Sequence, residues 1–425
     1  MKTVLIICYD YVPYFPSLGG VLRVLTLSRY LSKNGWKVFV LTSRGQDFGF
    51  HGYEDILKDV EIVYIDDPIK VNIQKVLNKQ LENTANKKGN LPLSSLKGFI
   101  KSFVSYVVVP DLGVFMVRKY LKSAERIIIK NSVKNVIVSS PPHSMQIVGA
   151  LLKNKFKSNV NLIVDYRDSW NMTAIFRKKN VIANYFSCLL EKYTLNKCDH
   201  FSYVSKPILD KLINFYGIDL ECKSTIVMNG FDEKTIFPSV DSNHDSGVVK
   251  IGYFGAISDD KTSFRSISNV LDVLIDLASK NSLPRLEFNF YGATNFERYD
   301  LQKLPMVKVR GNVPHDEALR CMADMDFLML LHSDPLSADE VITGKFFDYI
   351  SMKKPILCFA PQNMEARRLI EKNRLGVNVD IESTIDIAEK LIALPLFLNS
   401  PFYEGFNIDQ YQRVNQYNKM IELLR

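Results

Sequence analysis

Between Glu340 and Leu357 the chain reads EVITGKFFDYISMKKPIL, and the residue types in this stretch suit the holding of an anion. Thr343, Gly344 and Lys345 open a run of helical periodicity, and Pro355 separates that run from the apolar pair Ile356-Leu357. Threonine is a capping residue, and glycine leaves the backbone open to close approach. The first turn of a helix presents unpaired N–H groups at the positive end of its dipole. Adding the Lys345 ammonium makes an anion site, with phosphate as the natural occupant. Glu340 and Asp348 stand eight positions apart, about two helical turns, a spacing that lets both carboxylates flank the anion. A cationic centre between carboxylates suits a nucleotide-sugar, whose diphosphate is anionic and whose ribose and sugar are rich in hydroxyls.

Other chemistry-bearing residues recur in one setting, directly after a short apolar run. Gly19-Gly20 follow the first such run and a tyrosine-rich loop, where glycines let a ligand approach helix-start N–H groups, or simply make a turn. There is no G-x-G-x-x-G, which argues against a nicotinamide or flavin dinucleotide. His143, in SSPPHS, is placed to hydrogen-bond a sugar or acceptor hydroxyl, or to serve the structure alone. In DYRDSW, Asp165, Arg167 and Asp168 either shape the loop as an ion pair, or an aspartate such as Asp168 orients or deprotonates an acceptor hydroxyl. Gly255 permits close backbone contact, and Lys261 or Arg265 could reach a diphosphate, arginine being better suited by its bidentate geometry. Gly292 and the RGNVPH segment end further runs, and the backbone at Asn312-Val313 could read a base edge. The D-x-D of Asp324-Met325-Asp326 precedes a strand instead of following one, so no metal is expected there. No other cluster has metal-ligand spacing.

These residues need elements to position them. The apolar runs KTVLIICY, WKVFVLTS, NVIVSS, NLIVDY, HFSYVS and STIVMNG alternate with helix-compatible sequence. The pattern restarts at VKIGYFGA and continues through LEFNFYGA, VKVRG, DFLMLLH and PILCFA. Such alternation predicts an α/β protein with two doubly wound parallel sheets, whose ligands bind at the carboxyl ends of strands. The expected boundary is the polar stretch Pro238–Val248. It divides a first domain, 1–240, from a second, 241–400, with a final helix in 401–425 that can pack back on the first.

Length and composition suit two or three soluble domains: 425 residues, 47% hydrophobic and 24% charged. The six cysteines include no CxxC pair and read as buried or idle thiols in a reducing compartment. VLIICY is too short and strand-like for a signal peptide, and Lys101, Pro110 and Asp111 spoil the apolar region 100–117 as a membrane span, so a cytoplasmic protein is expected. Of the net charge of +8, the stretch Lys70–Lys130 carries +9, with twelve Lys/Arg against three acids. Within it, LPLSSLKGFIKSFVSYVVVP (Leu91–Pro110) suits either an anionic membrane surface or a solvated helix over a core. No nucleic-acid reader motif accompanies the charge.

The assembled motifs resemble the family 4 glycosyltransferases of the GT-B fold, above all those of bacterial surface-polysaccharide assembly, over nearly the whole chain. The early glycine pair, SSPPHS, DYRDSW, IVMNGFD (Ile226–Asp232) and GKFFDYISMKKPIL are similar to five ordered elements of that family. The resemblance implies two Rossmann-like domains facing across a cleft, the first binding the acceptor and the second the nucleotide-sugar. It implies retention of anomeric configuration without a metal or other cofactor. The family's E-x7-E pattern falls on Glu340, toward the donor sugar or its phosphates, and Asp348, toward the ribose. Here the second glutamate is an aspartate, one methylene shorter. Arg265 and Lys345 match the family's diphosphate-binding cations. The expected acceptor is a glycan, lipid-linked, at the inner face of a membrane. Two rival functions share these features: a non-hydrolysing sugar-nucleotide epimerase, and a non-catalytic nucleotide-sugar or glycan-binding partner.

Overall fold

The computed structural model describes residues 2–15, 20–48, 58–72, 107–172, 180–232, 247–301 and 304–425. The chain forms two compact units, Met1–Met228 with Tyr417–Arg425, and Asn229–Gln416. The linker expected over Pro238–Val248 lies mostly outside the described residues, as do Gly19 and 91–106 of the apolar-basic run. Charge is divided between the units. The first carries 34 Lys/Arg against 19 Asp/Glu, +15, and the second 20 against 27, −7. The near-neutrality of the chain outside 70–130 is thus a cancellation.

The first unit is built on seven parallel strands: β1 (Thr3–Ile7), β2 (Lys37–Arg44), β3 (Val60–Asp66), β4 (Asn135–Ser140), β5 (Asn161–Tyr166), β6 (His200–Tyr203) and β7 (Ser224–Ile226). Their order is β3-β2-β1-β4-β5-β6-β7, so the chain reverses its direction of winding between β1 and β4. Successive side chains of a strand point to opposite faces, and here both faces are apolar. Val4, Ile6, Val38 and Val40 pack with Val24, Leu25 and Leu27 of helix α1 (Leu22–Lys33), and with Tyr417 and Met420. Leu5, Ile7, Phe39 and Leu41 face the other way, onto α2 (Val117–Asn131) and α3 (Ser144–Phe156). Two further helices, α4 (Val181–Lys197) and α5 (Lys206–Tyr216), complete that side. The carboxamides of Asn135 and Asn161 donate to the carbonyls of Arg425 and Leu423, which ties the chain's last residues to this unit.

The second unit repeats the design. Strands β8 (Val249–Phe254), β10 (Leu286–Tyr291), β12 (Val307–Gly311), β13 (Phe327–Leu331), β14 (Ile356–Ala360) and β15 (Gly376–Asp380) form a parallel sheet in the order β12-β10-β8-β13-β14-β15. Two short strands, β9 (Ile257–Ser258) and β11 (Thr294–Asn295), pair with each other beyond the strand ends. Ile251, Tyr253, Phe288, Phe290 and Met329 pack against Leu271 and Leu274 of α6 (Ser268–Ser279). The remaining helices of this unit are α7 (His315–Ala323), α8 (Gly344–Ser351), α9 (Glu365–Lys372) and α10 (Thr384–Ala393); α11 (Arg413–Glu422) starts here and ends in the first unit. The expected α/β class with two doubly wound sheets is therefore what the chain adopts. Among the described residues no helix is long and apolar enough to cross a membrane.

Candidate functional site

At the carboxyl ends of β8 and β10 two glycines bring backbone and cation together. Gly255 has φ +141° and Gly292 φ +126°, values that side-chain-bearing residues rarely adopt. A Cβ on Gly255 would stand 2.6 Å from both Cε and Nζ of Lys345, and one on Gly292 would stand 2.6 Å from the Gly255 carbonyl oxygen. The Gly292 N–H donates to the Gly311 carbonyl at 2.7 Å, which aligns the end of β12 and the following Asn312-Val313 with this corner. Lys345, in the first turn of α8, thus reaches back over β8. Its ammonium donates to the Tyr253 hydroxyl at 2.9 Å and sits 4.1 Å from the centre of that ring. Tyr253, which passes the bond on to the Ala256 carbonyl at 2.8 Å, is the partner that sequence reasoning missed. Its place at the end of a strand, in the YFGA run, was the available signal.

Arg265 adds a second cation. Its loop is pinned to the end of β13: the Ser333 N–H donates to the Phe264 carbonyl at 2.9 Å, and the Ser333 hydroxyl to the Ser263 carbonyl at 2.7 Å. The Lys345 ammonium is lowered from 10.5 to about 7, first by burial and then by the charge of Arg265, against a smaller opposing pull from Asp348. Lys261 does not join them. More than half exposed, it lies 3.9 Å from Asp272 on α6.

The start of α8 departs from expectation in two respects. Thr343 stands at the N-cap with extended backbone (φ −69°, ψ 154°), but its hydroxyl makes no capping bond and is buried without a hydrogen-bond partner. The Phe346 N–H turns instead onto the Thr343 carbonyl, at 3.1 Å. The helix begins only at Gly344, so Glu340 precedes it and the two-turn spacing of Glu340 and Asp348 is not a spacing along one helix. Glu340 is buried in the preceding loop, and Asp348 alone lies on α8, one turn beyond Lys345. Gly344 faces open space, where an added Cβ would touch nothing. The arrangement is two cations, an idle hydroxyl and an open helix start with no acid in its first turn. It can hold a polyanion.

The strand ends of the first unit are balanced internally. Asp165, on β5, accepts both Arg23 Nε at 3.1 Å and Nη2 at 2.7 Å, together with the hydroxyls of Ser139 (2.9 Å) and Ser202 (2.6 Å). Burial pushes this carboxyl up, but the Arg23 charge and the hydrogen bonds outweigh it and leave the group below its usual value. The partner of Asp165 is therefore Arg23, from α1, and not the neighbouring Arg167. Arg167 donates to the carbonyls of Gly20, Ser140 and Pro141 and fastens the loops expected to meet ligand.

His143 is not at an open mouth. Its ring is 1% exposed and stacks on Trp170, centroids 5.4 Å apart, with Tyr166 edge-on. Asp111 accepts the Ser144 N–H at 3.1 Å and its hydroxyl at 2.6 Å, so a carboxylate of the protein already occupies the start of α3. Asp168 is exposed; desolvation by the surrounding protein raises its carboxyl above the usual range, and Arg167 opposes the shift.

Asp326 of the D-x-D is engaged structurally. Its carboxylate accepts the Lys250 N–H at 2.8 Å where β8 and β13 begin, at the opposite end of the sheet from Lys345. Among the described residues no group of three or more His, Cys, Asp or Glu is placed to hold a metal. A surface depression of about 590 Å³, lined by Arg367, Glu371, Arg374, Asn378, Asp386 and Lys390, includes none of the expected site residues.

No family model matches the sequence, and no curated protein matches it either. Solved structures do resemble it. A glycosyltransferase from Rickettsia africae ESF-5 superposes with a TM-score of 0.61 at 15% identity, over 99% of this chain and 97% of that one. WaaG, a glycosyltransferase involved in lipopolysaccharide biosynthesis, gives 0.58 at 11% identity, over 99% of each chain. A mutant of S. aureus TarM, in complex with fondaparinux, α-GlcNAc-glycerol and UDP, gives 0.54 at 10% identity, over 100% and 99%. At such identities the likeness establishes architecture: the chain has the GT-B fold of glycosyltransferases.

Proposed function

We propose that the protein is a retaining glycosyltransferase, similar to family 4, that moves a hexosyl or N-acetylhexosaminyl group from a nucleotide-sugar to a glycan acceptor. The observation that carries this reading is Lys345 seated over Gly255 within the field of a second cation, Arg265, whose effect on it exceeds the opposing pull of Asp348. A nucleoside diphosphate supplies the missing charge. The UDP in the TarM complex is consistent with such a ligand.

In this reading Lys345, Arg265 and the N–H groups at Gly344 take up the charge that grows on the diphosphate as the bond from its oxygen to the anomeric carbon breaks. The acceptor oxygen bonds to that carbon on the same face, and its proton passes to the departing phosphate oxygen. No metal enters the scheme. The open backbone at Gly255 and Gly292 admits the phosphates, Thr343 supplies a donor, and Asn312-Val313 line the base. Asp348 takes the ribose and Glu340 the donor sugar. The first unit takes the acceptor. There Asp168 meets the acceptor, the buried His143 holds the SSPP loop in place, and Gly19-Gly20 serve the donor. A lipid-linked acceptor of capsule, O-antigen or exopolysaccharide assembly, met at the inner face of the membrane, fits the basic first unit.

The test is a screen of the purified protein against UDP-, GDP- and dTDP-sugars with cell lipid extract as acceptor. The reading expects nucleoside diphosphate release that depends on acceptor, and an α-linked product from an α-linked donor. An isomerised nucleotide-sugar formed without acceptor would establish the epimerase instead. Tight binding without turnover on any acceptor would establish a binding partner.

A further inference from the structure

The first unit exposes an apolar stripe that its own described residues leave uncovered. On α4 the side chains of Val181, Ile182, Tyr185, Phe186 and Leu189 are 87, 70, 61, 54 and 46% exposed. Their spacing, i, i+1, i+4, i+5 and i+8, places them on one side of the helix. The opposite side, with Ala183, Ser187, Glu191, Thr194 and Leu195, is buried in the unit. Singly exposed apolar residues are ordinary on a protein surface, but a contiguous set marks an interaction site.

Charge selects the partner. The one acid of α4, Glu191, is buried and hydrogen-bonded by Asn171 and the Tyr216 hydroxyl, so the ionised groups left to this helix are Lys192 and Lys197. The unit that carries it has a net charge of +15. Two such surfaces repel each other, whereas an anionic lipid surface attracts each one. An apolar stripe that enters the acyl boundary, beside cations that meet headgroups, is the physical pattern of an interfacial helix.

We propose that the N-terminal half of α4 is the surface by which the protein docks on an anionic lipid bilayer. This deepens the membrane partnership of the function proposed above and rests on it for the choice of a membrane, but the docking needs none of the transfer chemistry.

The full chain is tested with phosphatidylcholine vesicles, with and without phosphatidylglycerol. The two native tryptophans, Trp36 and Trp170, are buried, so Phe186→Trp gives a separate signal. Its emission should shift to the blue and become quenchable by brominated lipid only with anionic vesicles. The double substitution Ile182→Ser with Phe186→Ser, at positions already exposed, should weaken vesicle binding roughly tenfold or more, with thermal unfolding and UDP binding unchanged. Unchanged vesicle binding by the double variant would overturn the proposal. So would blue emission of Phe186→Trp without vesicles, which would mean that a second copy or the chain itself covers the helix. Vesicle binding that depends on α4 in a protein that binds no nucleoside diphosphate would support the docking surface and refute the transferase reading.

Discussion

Each unit holds a cation at the carboxyl ends of its strands, Arg23 buried and Lys345 partly so, and the two cations have opposite company. Arg23 meets the Asp165 carboxylate in bidentate contact, with two serine hydroxyls on the remaining lone pairs. Lys345 meets a phenol oxygen, an aromatic face and the field of a second cation. The helix starts differ in the same sense. Asp111 closes the start of α3, while α8 opens on Gly344 with an idle Thr343 hydroxyl. Balanced charge in low dielectric holds structure. Unbalanced charge is the state a protein maintains for a ligand that will balance it.

Breaking the balanced side should have the largest effect. Asp165→Ala leaves the Arg23 guanidinium buried without its carboxylate and should cost about 3–5 kcal/mol of stability, read from denaturant unfolding; a loss below about 1 kcal/mol would show that the pair is not what holds the strand ends. On the unbalanced side, Lys345→Ala should lower turnover by about a hundredfold, the usual cost of one transition-state donor, without loss of stability. The pH dependence sharpens the contrast. Because the folded protein holds Lys345 near 7 against 10.5 unfolded, its burial costs stability in full below pH 7, and that cost fades as pH rises toward 10.5. Lys345→Met should therefore raise the thermal midpoint more at pH 6 than at pH 10. The opposite order would contradict a desolvated ammonium.

Gly255→Ala must strain a φ of +141° and displace Lys345, so it should cost roughly 1–3 kcal/mol and also weaken UDP binding. Thr343→Val should be the mildest. A hydroxyl that makes no bond in the free protein should be replaced within about 0.5 kcal/mol, while UDP binding falls roughly tenfold if the hydroxyl meets phosphate.

The fold was legible wherever strands are continuous apolar runs, as in VLIICY or PILCFA, because sheets covered on both faces need such runs. Strands β3 (VEIVYID) and β15 (GVNVD) are less legible; both lie at sheet edges, where polar residues such as Glu61, Asp66 and Asn378 are admitted. The cluster proposed to hold the anion, Lys345, Gly344 and Arg265, was legible because helix starts and glycines are local signals. Tyr253 and the Arg23–Asp165 pair were not, since the latter joins residues 142 positions apart and only the fold brings them together. His143 misled for the same reason. Its place after a strand and two prolines suggested exposure, and packing against Trp170 removed it from solvent.

The central claim is that Lys345 waits for a diphosphate, and proton uptake on binding tests it most directly. Calorimetric titration of UDP, GDP and dTDP into the protein at pH 7.5, in buffers of different ionisation enthalpy, measures it. The account predicts that the nucleotide that binds draws more than about half a proton onto the protein, that affinity falls as pH rises from 7 to 8, and that Lys345→Met loses both effects. Nucleotide binding with no proton uptake, unchanged in Lys345→Met, would contradict it.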